Sequence, residues 1–73
     1  MNVEIGKKYQ HFKGHVYEII AMAKDSETLN DVVVYQNVDN KEVWVRPLTM
    51  FISKVDKEKY PDVKQEYRFE EII

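Results

Sequence analysis

The sequence predicts an all-β protein built as one small barrel of about five short strands. Its 73 residues are enough for a single thin core, so we expect one domain over residues 1–73. The apolar side chains occur in short runs rich in β-branched and aromatic residues, which is typical of strands. A chain of this size has few ways to protect the edges of a sheet, and rolling the strands into a barrel is the common one.

Three strand candidates occupy the first half of the chain. Residues 9–12 are a short aromatic stretch, and the Lys13–Gly14 pair predicts a turn because glycine takes positive φ without strain. Residues 16–23 begin with β-branched and aromatic side chains and favour a strand over the competing helix. Residues 25–31 are polar and predict a loop. The continuous apolar run at residues 32–35 predicts a strand buried on both faces.

A hairpin is expected between this run and a fourth strand at residues 42–46. Asp39 and Asn40 lie between the two strands, and both residue types tolerate the left-handed backbone region that tight turns use. Pro47 has no backbone N–H to donate to a neighbouring strand. We therefore expect the fourth strand to end there.

The last part of the chain combines a helical turn with a closing strand. The i, i+3, i+4, i+7 spacing of a short helical turn, α or 3₁₀, is met by Leu48, Phe51, Ile52 and Val55. Residues 56–64 are charged and predict an exposed loop, whereas residues 66–70 alternate in polarity like a strand. A helical turn between the fourth and fifth strands is typical of an SH3-like barrel. An OB-type barrel is the alternative, but it usually needs more residues and a longer helix.

Composition excludes several classes of protein. The chain has no cysteine, which rules out disulfides, thiolate zinc sites and thiol chemistry. Eleven Lys and Arg residues against thirteen Asp and Glu residues give a net charge of −2, which does not suggest a protein that coats nucleic acid or an anionic membrane. No apolar stretch approaches the roughly twenty residues of a membrane helix, and no secretory signal is recognisable, so we expect a cytoplasmic protein.

Catalytic and metal-binding patterns are not recognisable, so we expect neither an enzyme nor a cofactor. His11 and His15 are able to approach each other across the turn, but zinc needs further ligands, and no Cys or third His exists. We expect His11 to be a partly buried hydrogen-bonding residue and His15 a solvated one. The serines, threonines and histidines form no recognisable nucleophile motif, and the two glycines form no phosphate-binding loop.

The acidic loop at residues 25–31 resembles a calcium loop only in its charge. Counted from Asp25, the glycine and glutamate that an EF-hand loop requires are absent. Ser26 and Thr28 are instead expected to accept backbone hydrogen bonds that close the loop. A contact between this loop and a ligand is a further hypothesis.

One aromatic and cationic face is the best candidate for a binding site. Trp44 and Arg46 are two residues apart on a strand and therefore share a face, and Tyr35 on the preceding strand lies beside them. An aromatic surface with a guanidinium suits a protein segment or a small ligand. The alternative is that Trp44 fills the core and Arg46 pairs with a carboxylate such as Glu18. The candidate ligand-binding residues are Tyr35, Trp44, Arg46, Glu27, Lys13 and His11.

A weak single-stranded nucleic-acid binder is the second hypothesis. Lys7, Lys8 and Lys13 make the N-terminal region locally basic, with Tyr9 and Phe12 interleaved. Charge combined with stacking is what single-stranded nucleic-acid grooves use. Its signature would be binding that weakens steeply with salt.

The strand at residues 16–23 presents apolar side chains on both of its faces. Ile20 and Met22 oppose Tyr17 and Ile19, and a small barrel has only one interior. The helical turn or the Ile72–Ile73 tail would have to cover the outer set. Otherwise the apolar patch is available to a second copy, so we expect a monomer or a weak homodimer.

Several spaced motifs occur in a characteristic order. They are His11-Phe-Lys-Gly14, Tyr17-Glu18, Ser26-Glu-Thr28, Val33-Val-Tyr35, Trp44-Val-Arg-Pro47, Met50-Phe51 and Arg68-Phe69. Together they resemble the bacterial family catalogued as domain of unknown function 1653, over roughly residues 5–70. The resemblance implies a small SH3-like β-barrel and no assigned activity. Asp25 stands where that family tends to carry a histidine.

Overall fold

The computed structural model describes residues 3–72 and shows five strands and one short helical turn. The elements in chain order are β1 (Lys8–His11), β2 (Val16–Lys24), β3 (Asp31–Asn37), β4 (Val43–Pro47), α1 (Leu48–Phe51) and β5 (Phe69–Ile72). The all-β class, the number of strands and the helical turn before the last strand are therefore confirmed. The fourth strand ends at Pro47, as its missing N–H predicts.

The five strands form one antiparallel sheet with the order β4-β3-β2-β1-β5. Consecutive strands from β1 to β4 are neighbours, and β5 returns to pair with β1 on the other side. Within residues 3–72 the sheet is open, with β4 and β5 as its edges. This arrangement is compatible with the expected SH3-like barrel.

The loop between β2 and β3 is closed by its own side chains. The Oδ1 atom of Asp25 accepts hydrogen bonds from the backbone N–H groups of Glu27 (2.9 Å) and Thr28 (3.3 Å). The hydroxyl oxygen of Thr28 accepts a further bond from the N–H of Asn30 (3.3 Å). Thr28 therefore has the predicted role, whereas Asp25 supplies the bonds that were expected from Ser26.

The predicted hairpin between β3 and β4 is also present, with a different residue in the left-handed region. Buried Asn37 accepts hydrogen bonds at its side-chain oxygen from the N–H groups of Asp39 (2.8 Å) and Asn40 (3.2 Å). The N–H of Lys41 bonds to the carbonyl of Asn37 at 3.0 Å, and Lys41 has a φ of 67°. Asn37 organises the turn, and the strained conformation falls on Lys41 rather than on Asp39 or Asn40.

The closing strand begins later than predicted. Residues 66–70 were expected to form it, but β5 starts at Phe69, and Tyr67 makes only an isolated bridge with Lys54. The reason is competition for backbone partners, since the N–H of Arg68 bonds to the carbonyl of Ser53 at 3.0 Å. Residues 66–68 thus pair with the segment that follows α1, and only the carbonyl of Arg68 also accepts a bond from the chain next to β1, the N–H of Phe12 at 3.0 Å.

The core lies between the inner face of the sheet and α1. Tyr9, Phe51 and Phe69 are fully buried. The rings of Phe51 and Phe69 are stacked with centroids 4.0 Å apart, and Tyr9 meets Phe51 edge-on at 5.5 Å. Such aromatic contacts add about 0.5–1.5 kcal/mol each beyond the burial of apolar area. Leu48 and Ile52 pack against this cluster, so the apolar spacing that predicted the helical turn identifies its core-facing side.

The outer apolar side chains of β2 are only partly covered. A bulge interrupts the pairing with β3 between Ile19 and Ala21, and Ile20 and Met22 are 39% and 38% exposed. Ile73, half of the proposed covering tail, lies outside the described residues. Self-association through this surface therefore stays a prediction. In the part of the chain described, no helix has the length and apolarity required to span a membrane.

Candidate functional site

The strand register places the predicted aromatic and arginine side chains on one face. Tyr35 of β3 pairs directly with Trp44 of β4, and Val33 pairs with Arg46. Residues directly opposite each other on neighbouring strands point to the same side of a sheet. Because Val33 and Tyr35 are buried in the core, Trp44 and Arg46 also belong to the inner face.

Trp44 does not fill the core. Its side chain is 49% exposed, although it lies on the inner face. The interior is occupied by Tyr9, Phe51 and Phe69, and β4 is an edge strand that lies beyond this cluster. The interpretation of Trp44 as the residue that fills the barrel is therefore wrong.

Arg46 is held by aromatic rings rather than by a carboxylate. Its guanidinium carbon lies 5.4 Å from the centroid of the Phe69 ring, a cation–π distance. Burial raises the pKa of Tyr35, and the charge and hydrogen bond of Arg46 oppose that rise. Glu18 pairs with Gln36, which alternates with Tyr35 and so lies on the other face of the sheet. The alternative pairing of Arg46 with Glu18 is therefore wrong.

These side chains line a shallow cavity of about 230 Å³, which we call the aromatic groove. Its lining residues are His11, Lys13, His15, Tyr17, Tyr35, Trp44, Arg46 and Phe69. Five of the six candidate residues therefore meet in one place. Six of the lining side chains carry an aromatic or imidazole ring, and the other two are the cations Lys13 and Arg46. None of the lining residues is Asp or Glu.

The turn between β1 and β2 brings His11, Lys13 and His15 to the groove. Gly14 has a φ of 101°, which a side chain would disfavour, and its N–H bonds to the carbonyl of His11 at 2.8 Å. The Nδ1 atom of His11 accepts a hydrogen bond from the N–H of Lys13 at 3.1 Å. His11 is partly buried and His15 is exposed, so the roles predicted for the two histidines are confirmed.

His11 is neutral at physiological pH because of its surroundings. Burial, followed by the positive charges of Arg46 and Lys13, lowers its pKa from 6.5 to about 4. The neutral ring keeps the lone pair on Nδ1 that accepts the bond from Lys13. At neutral pH His11 therefore adds no charge to those of Lys13 and Arg46 in the groove.

Glu27 lies away from the other candidates. It is exposed in the loop between β2 and β3, whereas the groove is lined by Tyr17 near the start of β2. The seven residue-to-residue steps from Tyr17 to Lys24 span about 23 Å of extended strand. The loop is thus at the far end of the hairpin, and Glu27 does not contribute to the rim of the groove.

Sequence reasoning missed a second depression beside the groove. It has a volume of about 290 Å³ and contains side chains from the loop at residues 56–60. The Tyr60 ring packs against Phe12 with centroids 4.9 Å apart, although the two residues are distant in sequence. Tyr17 and Phe69, which line the aromatic groove, were assigned to strands but not to a site. Strand alternation is the only sequence feature that indicates the position of Tyr17 and Phe69 in the groove. Nothing in the linear order indicates that Tyr60 lies beside it.

Aromatic stacking and charge-assisted hydrogen bonding are the chemistry that this surface offers a ligand. Within residues 3–72, no cluster of three or more His, Asp or Glu side chains is arranged to hold a metal ion. The rings of Trp44 and Tyr17 provide faces and edges for stacking, and Lys13 and Arg46 provide hydrogen-bond donors. The arrangement is therefore able to stack a flat group and to donate hydrogen bonds to it.

A family comparison covers both the fold and this surface. The family model described as "Protein of unknown function (DUF1653)" matches residues 7–71, which include β1 to β4, most of β5 and all residues of the aromatic groove. No curated protein and no solved structure matches the chain. Since the match covers nearly the entire sequence, the chain belongs to the family of proteins of unknown function DUF1653.

Proposed function

We propose that this protein is a non-catalytic binding module that recognises a protein segment or a small ligand through the aromatic groove. The observation that supports this most strongly is Trp44, a large aromatic side chain that is 49% exposed on the inner face of the sheet. A half-exposed tryptophan contributes little to a core, but it suits a contact surface because its ring stacks and its N–H donates a hydrogen bond.

The groove is also preorganised. Trp44 and Arg46 are on a strand, and Arg46 is held over the Phe69 ring. Tyr35 beneath them is buried. A ligand would therefore order few side chains on binding, and this reduces the entropic cost of association.

A non-catalytic role is favoured by the chemistry of the lining. The groove contains no Ser, Thr or Cys nucleophile and no carboxylate among its described residues. The Nδ1 atom of His11 already accepts the N–H of Lys13, so this histidine is poorly suited to act as a base from that atom. We further propose a bacterial, cytoplasmic protein, in keeping with its cysteine-free sequence.

The decisive experiment uses the single tryptophan of the chain as its reporter. Amide chemical shifts and Trp44 fluorescence are followed while peptides, oligonucleotides and a metabolite mixture are titrated into the labelled protein. We expect shifts at Tyr17, Trp44 and Arg46 for one class of ligand, and loss of that binding in Trp44→Ala. Val45→Ala is the matched control, because Val45 is exposed on the same strand but points to the other face.

Two outcomes would contradict the proposal. The first is a ligand whose binding shifts only residues outside the groove. The second is equal loss of binding in Trp44→Ala and Val45→Ala, which would indicate a general effect on β4 rather than a contact of the indole ring.

Single-stranded nucleic acid is the second candidate ligand. Lys13 and Arg46 lie beside several aromatic rings in the groove. This arrangement favours a single strand, because cations bind the backbone phosphates and aromatic rings stack on the bases. The contribution expected from the N-terminal lysines is weaker, because Lys7 forms ion pairs with Glu4 and Glu71, both at 3.5 Å. Binding that falls steeply as salt rises would support this candidate, and binding that is flat with salt would reject it.

A further inference from the structure

The second depression, which we call the basic depression, is a strongly charged concave surface. Four cations line its 290 Å³ volume, and Phe12 and Tyr60 form part of its wall. The cations are Lys13, Arg46, Lys59 and Arg68. The ammonium groups of Lys13 and Lys59 lie 5.7 and 5.5 Å from the centroid of the Tyr60 ring. Residues from separate parts of the chain therefore converge on one site.

The charge of this site is opposite to that of the whole chain. One carboxylate, Asp56, accompanies the four cations, although the chain has a net charge of −2. The Oδ1 atom of Asp56 accepts hydrogen bonds from the N–H groups of Glu58 (3.0 Å) and Lys59 (3.4 Å). This carboxylate is thus engaged in its own loop, and it offsets the positive potential of the depression only in part.

Carboxylates elsewhere do not neutralise the four cations. The ion pairs found within residues 3–72 use Lys7, Lys24 and Lys54. Lys13, Arg46, Lys59 and Arg68 take part in none of them. Like charges held close together repel each other, and a bound anion would relieve that repulsion.

The basic depression and the aromatic groove are adjacent and share part of their lining. His11, Lys13 and Arg46 line both of them. One ligand is therefore able to lie across the shared boundary, with an anionic group among the cations and a flat ring against Trp44 and Tyr17.

We propose that the ligand is a small phosphate monoester that carries a flat ring, of the size of a mononucleotide, with its phosphate in the basic depression. This inference rests on the proposed function, because the ring is assigned to the aromatic groove. A phosphate carries about −1.5 to −2 charges and three acceptor oxygens, which matches several converging cations better than a carboxylate does. Arg46 and Arg68 each present the planar fork of donors that phosphate oxygens accept.

The volumes favour a small molecule over a polymer. The two cavities measure about 290 and 230 Å³, each below the roughly 300–1,000 Å³ typical of small-ligand pockets, so a small ligand would extend over both. His11 lies at their junction, where burial and then the charges of Arg46, Lys13 and Arg68 lower its pKa to about 4. A phosphate bound beside it would offset those charges, so the pKa of His11 would rise on binding.

The test compares four probes that separate ring from phosphate. They are adenosine 5′-monophosphate, adenosine, inorganic phosphate and an oligothymidylate of about eight residues, a length within the usual site size of single-strand binders. We expect adenosine 5′-monophosphate to change both Trp44 fluorescence and the amide shifts of residues 56–60, and to raise the pKa of His11 as followed by NMR. Adenosine should bind at least about ten-fold more weakly, because it lacks the charge-assisted hydrogen bonds. Inorganic phosphate should shift the amides around Lys59 and Arg68 without changing Trp44.

Matched variants localise the phosphate. Arg68→Gln and Lys59→Gln should each weaken binding of adenosine 5′-monophosphate by about ten-fold, since each removes one charged donor. Lys64→Gln is the control, because Lys64 is an exposed lysine that does not line the basic depression. Equal affinity for adenosine and its monophosphate, or equal loss in all three variants, would overturn the inference. So would the absence of any shift with adenosine 5′-monophosphate at millimolar concentration.

The same experiment separates failure of this inference from failure of the proposed function. If an uncharged ligand or a peptide binds, and its binding requires Trp44 but not Arg68, the aromatic groove is functional and the phosphate assignment is wrong. If the oligothymidylate binds and the mononucleotide does not, the small-ligand assignment is wrong and the nucleic-acid candidate is favoured.

Discussion

The inner face of the sheet has two halves that are made of the same kinds of residue and differ in exposure. In one half Tyr9 and Phe69 are buried beneath Phe51 of α1. In the other half Trp44 is 49% exposed, and Arg46 is partly exposed beside it. Both halves are aromatic, and both lie on strands of one sheet. An aromatic side chain on this face is thus buried or exposed according to whether another element covers it.

The two halves also differ in how their rings are held. In the covered half the ring of Phe51 lies 4.0 Å from that of Phe69 and 5.5 Å from that of Tyr9, measured between centroids. In the open half Arg46 lies over the Phe69 ring, which is buried and also lines the groove. Phe69 therefore belongs to both halves, as core residue and as floor of the groove. Three predictions test this division, beginning with the largest effect on stability.

Removal of the covering ring should unfold much of the protein. Phe51→Ala deletes a fully buried ring that contacts Tyr9, Tyr35 and Phe69, and we expect a loss of about 3–5 kcal/mol. A total stability of about 5 kcal/mol is usual for a domain of this size, so little folded protein should remain. Urea denaturation followed by circular dichroism measures this loss.

Met50→Ala is the matched control for Phe51→Ala. Met50 lies on the same helical turn but is 45% exposed, so its truncation should cost less than about 1 kcal/mol. Similar losses in the two variants would mean that α1 does not cover one half of the inner face selectively.

The second prediction concerns His11, at the boundary between the halves. Its pKa is lowered from 6.5 to about 4 in the folded protein, so between these pH values the unfolded chain binds a proton that the folded chain does not. The stabilising contribution of the neutral ring is complete above pH 6.5 and is lost as the pH falls towards 4. We expect a decrease of about 1–2 kcal/mol in the free energy of unfolding, because solvent screens this part-exposed ring.

Substitution of each histidine isolates this contribution. His11→Gln should flatten the dependence of stability on pH between 6.5 and 4, and His15→Gln, which replaces an exposed residue of the same turn, is the matched control. Urea midpoints measured at intervals across this range provide the comparison. A decrease of the same size in wild type and in His11→Gln would assign the dependence to carboxylates instead.

The smallest effect on stability is expected from Trp44, the residue on which the proposed binding depends most. Trp44→Ala should change the free energy of unfolding by less than about 1 kcal/mol, because half of the side chain is already exposed to water. The same urea experiment measures it. A loss comparable with that of Phe51→Ala would show that Trp44 belongs to the core and would remove the distinction between the halves.

The fold class and most of the element positions could be predicted from the linear pattern of residues. The apolar runs, the Asp39–Asn40 turn and Pro47 act through neighbouring residues, so their effects can be recognised in a sequence. Strand alternation and the predicted hairpin also placed Tyr35, Trp44 and Arg46 on a common face, and the strand register confirms this. The family that the motifs resemble is also the family whose model matches residues 7–71. The two agree because both depend on motifs that occur in a fixed order.

The covering of each face and the meeting of distant charges depend instead on how the whole chain packs. The alternation of polar and apolar residues along the strands does not reveal that Phe51 covers Phe69 while Trp44 stays exposed. That difference depends on the position of α1 over the sheet. The linear order also separates Phe12 from Tyr60, although their rings are 4.9 Å apart. Lys7 belongs to a basic stretch of the sequence, but β5 brings Glu71 beside it. These contacts join residues distant in sequence, and the free energy that selects among them comes from tertiary packing rather than from local preference.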